Sequence, residues 1–249
     1  MSEPGALLAE RWGITGRVRP LGGGMNSDTW LVDQAGGTYV VKRVPPAGVE
    51  GLTAGSRVAA RLADAGLVTG RPVPDRDGRL VATSADGSAI ALLEQVRGRE
   101  LTGDPEQEQV WMAEVLARVH AATAPAPVLH ADPAPEAFVH DDETGVTALI
   151  DWAGSTRGPA LYDVASAVMY LGGSEHASAF LDAYRATGPL SDGEIRHLDA
   201  FRRLREVVQG VYFAGRLAAD DLTGGVGRED NEKGLSDARR RLAALGVRT

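Results

Sequence analysis

A short hairpin bounded by two aspartates constrains this chain most. Residues 138–140 and 146–150 predict two strands, because β-branched and aromatic side chains dominate both segments. The acidic run that ends in Gly145 is typical of a tight turn. Asp132 precedes the first strand and Asp151 follows the second. Because an antiparallel hairpin brings the start of its first strand beside the end of its second, we expect both carboxylates at one end of one small unit.

Two carboxylates at the mouth of a loop suit Mg²⁺, which takes oxygen ligands and shares them with phosphate groups. They also suit a site in which one carboxylate orients a hydroxyl group and the other binds the metal. Aspartates beside strands are also common turn and cap residues. The hairpin alone therefore leaves a purely structural role open.

The composition narrows the class of protein. With 249 residues, 43% of them hydrophobic, the chain can form one large domain or two small lobes. It has no cysteine, which excludes a thiol nucleophile and a Cys-based metal site. A net charge of −8 argues against nucleic acid or an anionic membrane as the main partner. The N-terminus lacks the pattern of a signal peptide and no apolar stretch is long enough to span a bilayer, so we expect a cytoplasmic protein.

Two features of the N-terminal third are compatible with phosphate binding. Lysine occurs only at Lys42 and Lys233, and Lys42 lies in a strand-like run where a compact ammonium group, rather than a planar guanidinium, fits a tight phosphate site. Glycines between the first two predicted strands permit close backbone approach to phosphates. Chance and a simple flexible turn are the alternatives, and the loop matches neither the Walker nor the dinucleotide pattern. The glycines are Gly22, Gly23 and Gly24.

The predicted elements change in character near residue 97. Residues 1–96 predict an antiparallel sheet with one helix over 56–65, and the last strand of this lobe covers 89–96. Residues 97–249 predict a mostly helical lobe that also carries the hairpin. Its first helix is expected to begin with Asp104 as the cap and Gln107 closing a capping box. Further helices are predicted over residues 159–171, 175–187, 191–222 and 232–245.

Taken together, these motifs resemble the aminoglycoside phosphotransferase and choline kinase family, which has a protein-kinase-like fold. The triplet 130–132, His-Ala-Asp, is similar to the family's His-Gly-Asp. Residues 150–152 are similar to its Ile-Asp-Trp, and residues 162–165 to its Tyr-Asp-Leu-Ala. The resemblance implies an α+β fold of two lobes, an antiparallel β N-lobe with one main helix and a mostly helical C-lobe.

The resemblance also implies a function, namely ATP- and Mg²⁺-dependent transfer of the γ-phosphoryl group to a hydroxyl of a small molecule. That acceptor would be aminoglycoside-like or another antibiotic or metabolite. Asp132 would orient or deprotonate the acceptor hydroxyl, Asp151 would hold Mg²⁺, and Lys42 would contact the α- and β-phosphates. His130 and Asp163 would hold the catalytic loop. The remaining nucleotide-binding positions implied are Gly22, Gly23 and Gly24 over the triphosphate, and the backbone of Glu94 to Val96 at the adenine.

Three departures from the family pattern stand out. The family's second metal ligand is an asparagine, and this chain has Ala137 there, so Glu136 is the candidate substitute. The helix glutamate that usually pairs with the strand lysine would fall near Gly55, which leaves Glu50 as the only nearby candidate. The segment 121–129, only nine residues, replaces the long substrate-binding insertion of the family.

Two other functions remain open at the level of sequence. A catalytically impaired pseudokinase, acting as a nucleotide-binding or interaction module, would accommodate Ala137 and the short segment. The joint presence of Lys42, Asp132 and Asp151 argues for an active enzyme instead. A hydrolase that uses the two aspartates would need further ligand clusters, which the sequence lacks. We therefore favour the phosphotransferase.

Overall fold

The computed structural model of the protein describes residues 4–22, 26–223 and 226–247. The chain divides into two compact units. The first comprises residues 1–99 and 139–155, and the second comprises residues 100–138 and 156–249. The hairpin thus groups with the N-terminal segment by contacts, and the lobes predicted from sequence, 1–96 and 97–249, stay a prediction.

The first unit is built on an antiparallel sheet of five strands. Alternating side chains of the central strands point into its core, where Val32, Val41 and Leu92 are fully buried. Its elements are α1 (Gly5–Trp12), β1 (Arg17–Leu21), β2 (Asp28–Gln34), β3 (Gly37–Val44), α2 (Val49–Asp64), β4 (Ala82–Thr83) and β5 (Ala89–Glu94). The five strands lie in the order β1-β2-β3-β5-β4 across the sheet.

Helix α2 begins earlier than the predicted residue 56, because a 3₁₀ turn over Pro46–Gly48 leads directly into it. Its buried face includes Leu52, Ala59 and Leu62, at the spacing expected for one side of a helix. Helix α1 was not predicted, since its short apolar pattern offers a single fully buried side chain, Leu8.

The hairpin forms close to its predicted bounds. Strand β8 (Phe138–Asp141) and strand β9 (Val146–Leu149) are hydrogen-bonded neighbours. Gly145 has a φ of +69° and its N–H donates to the carbonyl of Asp141 at 2.8 Å, which closes the turn. Short strands complete the β structure: β6 (Arg99–Glu100), β7 (Val128–Leu129) and β10 (Thr156–Arg157), of which β7 and β10 pair antiparallel.

The second unit is mostly helical. Helix α3 begins at Glu106, but the predicted Asp104 cap is wrong, because Pro105 occupies the N-cap position. The Glu108 carboxylate instead accepts the N–H groups of Thr102 and Gly103, at 2.7 and 3.0 Å, and so satisfies the loop before the helix. The helices of this unit are α3 (Glu106–Ala122), α4 (Leu161–Tyr170), α5 (Ser178–Thr187), α6 (Asp192–Ile195), α7 (Leu198–Ala218) and α8 (Arg228–Ala244).

The single helix predicted over residues 191–222 is two helices, α6 and α7. Ser191 and Glu194 form a capping box that starts the short α6. The chain then leaves helical geometry at His197, which is the N-cap of α7. The α+β class of the prediction is confirmed. Across the described ranges, no helix is both long and apolar enough to cross a bilayer.

Candidate active site

In the first unit, the predicted phosphate-binding lysine and the predicted metal-binding aspartate form an ion pair. Lys42 Nζ donates to Asp151 Oδ1. The lysine side chain is 11% exposed and that of the aspartate is 50% exposed. The ammonium group therefore lies largely out of water, while half of the carboxylate stays accessible to a ligand.

The position of Lys42 follows from the sheet. It lies on the central strand β3, opposite Thr29 of β2 and Ala91 of β5 in the antiparallel register. A residue with neighbouring strands on both sides has a fixed backbone, so the direction of its side chain is set by the pleat. The strand-like run around Lys42 is the signal that predicted this.

Asp151 lies immediately after β9, in a left-handed conformation with a φ of +65°. Aspartate tolerates this region better than most residues. The next residue, Trp152, is buried, and its indole N–H donates to the carbonyl of Leu149 at 2.8 Å. Trp152 thus anchors the 3₁₀ turn Trp152–Gly154 and fixes the exit of the strand at Asp151.

Helix α2 packs its backbone directly on this turn. A Cβ atom at Gly55 would come within 2.2 Å of the Trp152 carbonyl oxygen, and one at Gly51 within 2.8 Å of the Ala153 carbonyl oxygen. The helix position nearest to the family's glutamate therefore has no room for any side chain. Glu50 is exposed in the first turn of α2, and the carboxylate that pairs with Lys42 is that of Asp151.

The predicted nucleotide-binding backbone lies at the ends of strands of the same unit. Gly22 directly follows β1, whereas Gly23 and Gly24 lie outside the described residues. Glu94 ends β5 and its N–H donates to the carbonyl of Arg71 at 2.8 Å. Val96 follows in the segment between β5 and β6.

In the second unit, a buried aspartate holds the backbone that precedes Asp132. Asp163 Oδ2 accepts the His130 N–H at 2.7 Å, and Oδ1 accepts the Ala131 N–H at 2.8 Å. Its Oδ2 also lies 3.1 Å from Nε2 of the buried His120, whose Nδ1 is 2.7 Å from the Tyr184 hydroxyl. Through these contacts Asp163 holds the backbone of residues 130 and 131, and a role of the His130 side chain in holding the loop stays a prediction.

Ala131 adopts a φ of +71°, in the left-handed region that disfavours a residue with a Cβ atom. The family motif has glycine at this place, so alanine holds the conformation with some strain. The strain is tolerated because Asp163 accepts the backbone N–H groups of Ala131 and of the residue before it.

The carboxylate of Asp132 has two side-chain partners that the sequence did not predict. Arg205 Nη2, from α7, lies 2.6 Å from Asp132 Oδ1. The hydroxyl of Tyr170, at the end of α4, donates to the same oxygen. Arg205 was missed because nothing in the pattern of α7 separates it from the other arginines of that helix.

The two candidate metal ligands belong to different units, Asp151 to the first and Glu136 to the second. Glu136 is exposed in the 3₁₀ turn Pro135–Ala137, and Ala137 is buried. Within the described ranges, no group of three or more metal-ligating side chains is arranged for a metal ion. A Mg²⁺ ion shared with phosphates needs only one or two carboxylates, so the oxygen donors present fit that kind of site. Convergence of Asp132 and Asp151 at one end of the hairpin stays a prediction.

Comparisons with known proteins agree with this reading of the fold. Residues 17–128 and 121–205 match the phosphotransferase enzyme family, described as APH. No curated protein sequence matches the chain.

Solved structures give the same result for the fold, at low sequence identity. An amicoumacin kinase bound to AMP-PNP, Ca²⁺ and amicoumacin is similar with a TM-score of 0.76 and 14% identity, covering 96% of this chain and 92% of that one. A spectinomycin phosphotransferase bound to ADP and spectinomycin has a TM-score of 0.68 and 14% identity, covering 97% of each chain. A choline/ethanolamine kinase family protein from Mesorhizobium loti has a TM-score of 0.67 and 15% identity, covering 94% of this chain and 89% of that one. The protein-kinase-like fold implied by the sequence motifs is confirmed.

Proposed function

Since this chain belongs to the phosphotransferase enzyme family, whose members are small-molecule kinases, we propose that it transfers the γ-phosphoryl group of ATP to a hydroxyl of a small molecule, with Mg²⁺ as the metal. The observation that carries the proposal is the ion pair of Lys42 with Asp151. A buried ammonium beside a half-exposed carboxylate offers one group for phosphate oxygens and one for a hard cation.

The chemistry asks for positioning and for neutralisation of charge rather than for covalent catalysis. Lys42 would bind the α- and β-phosphates, and Asp151 would hold the ion. Mg²⁺ bound there would neutralise charge on the phosphates. The glycine loop would cover the triphosphate, and the backbone of Glu94 to Val96 would meet the adenine.

Asp132 is proposed to act on the acceptor. It follows a loop that Asp163 holds through backbone hydrogen bonds, and 61% of its side chain is exposed. An exposed carboxylate on a fixed loop can orient a hydroxyl group for in-line attack. Glu136, exposed four residues later, is the candidate for the second metal ligand in place of the family's asparagine.

The proteins of similar structure indicate the class of acceptor. The similar structures include an amicoumacin kinase, a spectinomycin phosphotransferase with bound spectinomycin, and a choline/ethanolamine kinase family protein. A small hydroxyl compound of the antibiotic or amino-alcohol type is therefore the acceptor we propose. The net charge of −8 would favour a cationic one.

A second candidate, a pseudokinase that binds nucleotide without turnover, is favoured by Ala137. This residue is only 8% exposed and has no group that could bind a metal. The two candidates share nucleotide binding and differ in phosphate transfer.

Two measurements test the proposal in sequence. The midpoint of thermal unfolding is compared with and without ATP, each with and without Mg²⁺, and we expect a rise of roughly 5–10 °C when MgATP is at about 100 times its Kd. Absence of any rise contradicts both candidates. Transfer of labelled γ-phosphate to a panel of amino alcohols and aminoglycosides then supports the enzyme, whereas binding without transfer across the panel and without phosphate release to water supports the pseudokinase.

A further inference from the structure

The guanidinium group of Arg205 is buried inside the second unit, where its three nitrogens all have partners. Arg205 is only 4% exposed. Its Nε donates to Ser166 Oγ at 2.9 Å, and its Nη1 donates to Gln209 Oε1 at 2.6 Å. Its Nη2 donates to Asp132 Oδ1 at 2.6 Å and lies 3.2 Å from the Tyr170 hydroxyl. The planar guanidinium group is thus held in one orientation.

Burial of a cationic group is unfavourable unless a carboxylate and hydrogen bonds compensate for the lost water. Asp132 is the carboxylate that pairs with Arg205, and Ser166 and Gln209 are neutral partners. Among the partners of Arg205, the compensating charge is therefore supplied by Asp132.

Tyr170 contacts both members of the Arg205–Asp132 ion pair. Its hydroxyl donates to Asp132 Oδ1, and its ring lies under the guanidinium group, 5.7 Å from the Arg205 Cζ atom to the ring centroid. Burial, followed by the charge of Asp132, raises the pKa of the Tyr170 phenol well above its ordinary value. The phenol therefore stays protonated and remains a donor across the working range of pH.

We propose that Arg205 is a positioning residue for Asp132, acting with Tyr170. This inference rests on the proposed phosphotransferase function. Both donors engage Oδ1, so they fix the rotamer of the carboxylate and direct Oδ2 towards the acceptor hydroxyl. A lysine cannot replace Arg205, because an ammonium group lacks the planar fork that contacts Ser166, Gln209 and Asp132 together.

The first test needs no activity. Asp132→Asn leaves the buried Arg205 without its carboxylate, so the unfolding midpoint should fall by about 4–8 °C. In an Arg205→Met background, the same Asp132→Asn change should shift the midpoint by less than about 2 °C. Equal shifts in the two backgrounds, or a more stable Asp132→Asn variant, would overturn the pairing.

The second test uses turnover, measured as phosphate release from MgATP to water or as transfer to an acceptor found in the panel. Arg205→Lys should lower kcat about 10- to 100-fold and leave KM for MgATP within about twofold, since Arg205 would act through Asp132 on the acceptor step rather than on nucleotide binding. Tyr170→Phe, which keeps the ring, should lower kcat less, by about 3- to 10-fold. Arg203→Lys is the matched control, because Arg203 is an exposed arginine of the same helix.

The outcomes separate the two claims. Turnover in the unmodified protein with unchanged kcat in Arg205→Lys overturns the positioning role alone. No turnover in the unmodified protein overturns the proposed phosphotransferase, and the positioning role with it; MgATP-dependent stabilisation then distinguishes a pseudokinase from a protein that does not bind nucleotide. A fall in kcat that appears equally in Arg203→Lys also overturns the specific role of Arg205.

Discussion

The ion pairs Lys42–Asp151 and Arg205–Asp132 have the same charges and differ in how the cation is held. In both, the cation is largely buried and the carboxylate is half-exposed or more, with side-chain exposures of 11% and 50% in the first pair and 5% and 61% in the second. Lys42 directs a single ammonium group at Asp151. Arg205 also binds Ser166 and Gln209, so its guanidinium cannot turn away.

This difference matches two different tasks. A compact ammonium on a strand can exchange its carboxylate partner for phosphate oxygens when a nucleotide binds. A fork held by several side chains instead keeps one carboxylate in one orientation. We infer that the Lys42–Asp151 ion pair opens when a nucleotide binds, and that the Arg205–Asp132 ion pair persists.

The largest expected effect on phosphate transfer comes from removing the carboxylate of the Lys42–Asp151 pair. Asp151→Asn removes the charge that would hold Mg²⁺, so phosphate transfer should fall by more than about 100-fold. The measurement is the rate of labelled phosphate transfer from ATP. Asp142→Asn, an exposed aspartate of the same hairpin that pairs with Arg99, is the control and should stay near the unmodified rate. Equal activity of Asp151→Asn and the control would remove the metal assignment.

The next effect concerns the cation of that pair. Lys42→Met keeps the length of the side chain and removes the ammonium, so affinity for MgATP should fall by about 10- to 100-fold, the loss of about 1.4–2.8 kcal/mol. The free energy of unfolding should change by less than about 1 kcal/mol, because Asp151 is half-exposed and can be solvated. Titration calorimetry with a non-hydrolysable ATP analogue measures the affinity. Unchanged affinity would mean that Lys42 serves the fold rather than the nucleotide.

A smaller effect tests how Asp151 is supported. Gly55→Ala would drive a methyl group to 2.2 Å from the Trp152 carbonyl oxygen, so the helix or the turn must shift. We expect a loss of about 1–3 kcal/mol in the free energy of unfolding. Gly215→Ala, on α7 with nothing within 4 Å of the new Cβ atom, should instead stabilise by about 0.5–1 kcal/mol. Chemical denaturation measures both, and a neutral Gly55→Ala variant would refute the close packing of α2.

The smallest effect concerns the support of Asp132. Ala131→Gly should raise the free energy of unfolding by about 1 kcal/mol, because a residue with a φ of +71° is relieved of its Cβ strain. Ala214→Gly, within the helical α7, should lower it by about 1 kcal/mol. If both changes were destabilising, the left-handed conformation of Ala131 would carry no strain.

The sequence predicted elements whose signals are local. The hairpin followed from β-branched residues and an acidic turn, and the strand of Lys42 followed from a similar run. The break at His197 was missed because the apolar spacing continues across it, through Ile195, Leu198 and Phe201, although the backbone of His197 leaves helical geometry. Asp104 was misassigned as a cap because the carboxylate of Glu108, four residues later, accepts the backbone N–H groups of the loop before the helix.

The partners of the site residues depend on contacts far apart in sequence. Lys42 and Asp151 are 109 positions apart, and Arg205 and Asp132 are 73 apart. The motif resemblance identified both Lys42 and Asp151 of the first pair, but only Asp132 of the second. Neither composition nor periodicity carries information on which of several arginines reaches an aspartate, so Arg205 could be found only from the structure.

The most direct test of the central claim compares the two aspartates by ligand-induced stabilisation. The rise in unfolding midpoint on adding MgATP is measured for Asp132→Asn and Asp151→Asn, each against its own ligand-free value. If Asp151 holds the metal and Asp132 serves the acceptor, Asp132→Asn keeps a rise of roughly 5–10 °C and Asp151→Asn loses most of it. Equal rises in the two variants, or loss confined to Asp132→Asn, would contradict the account.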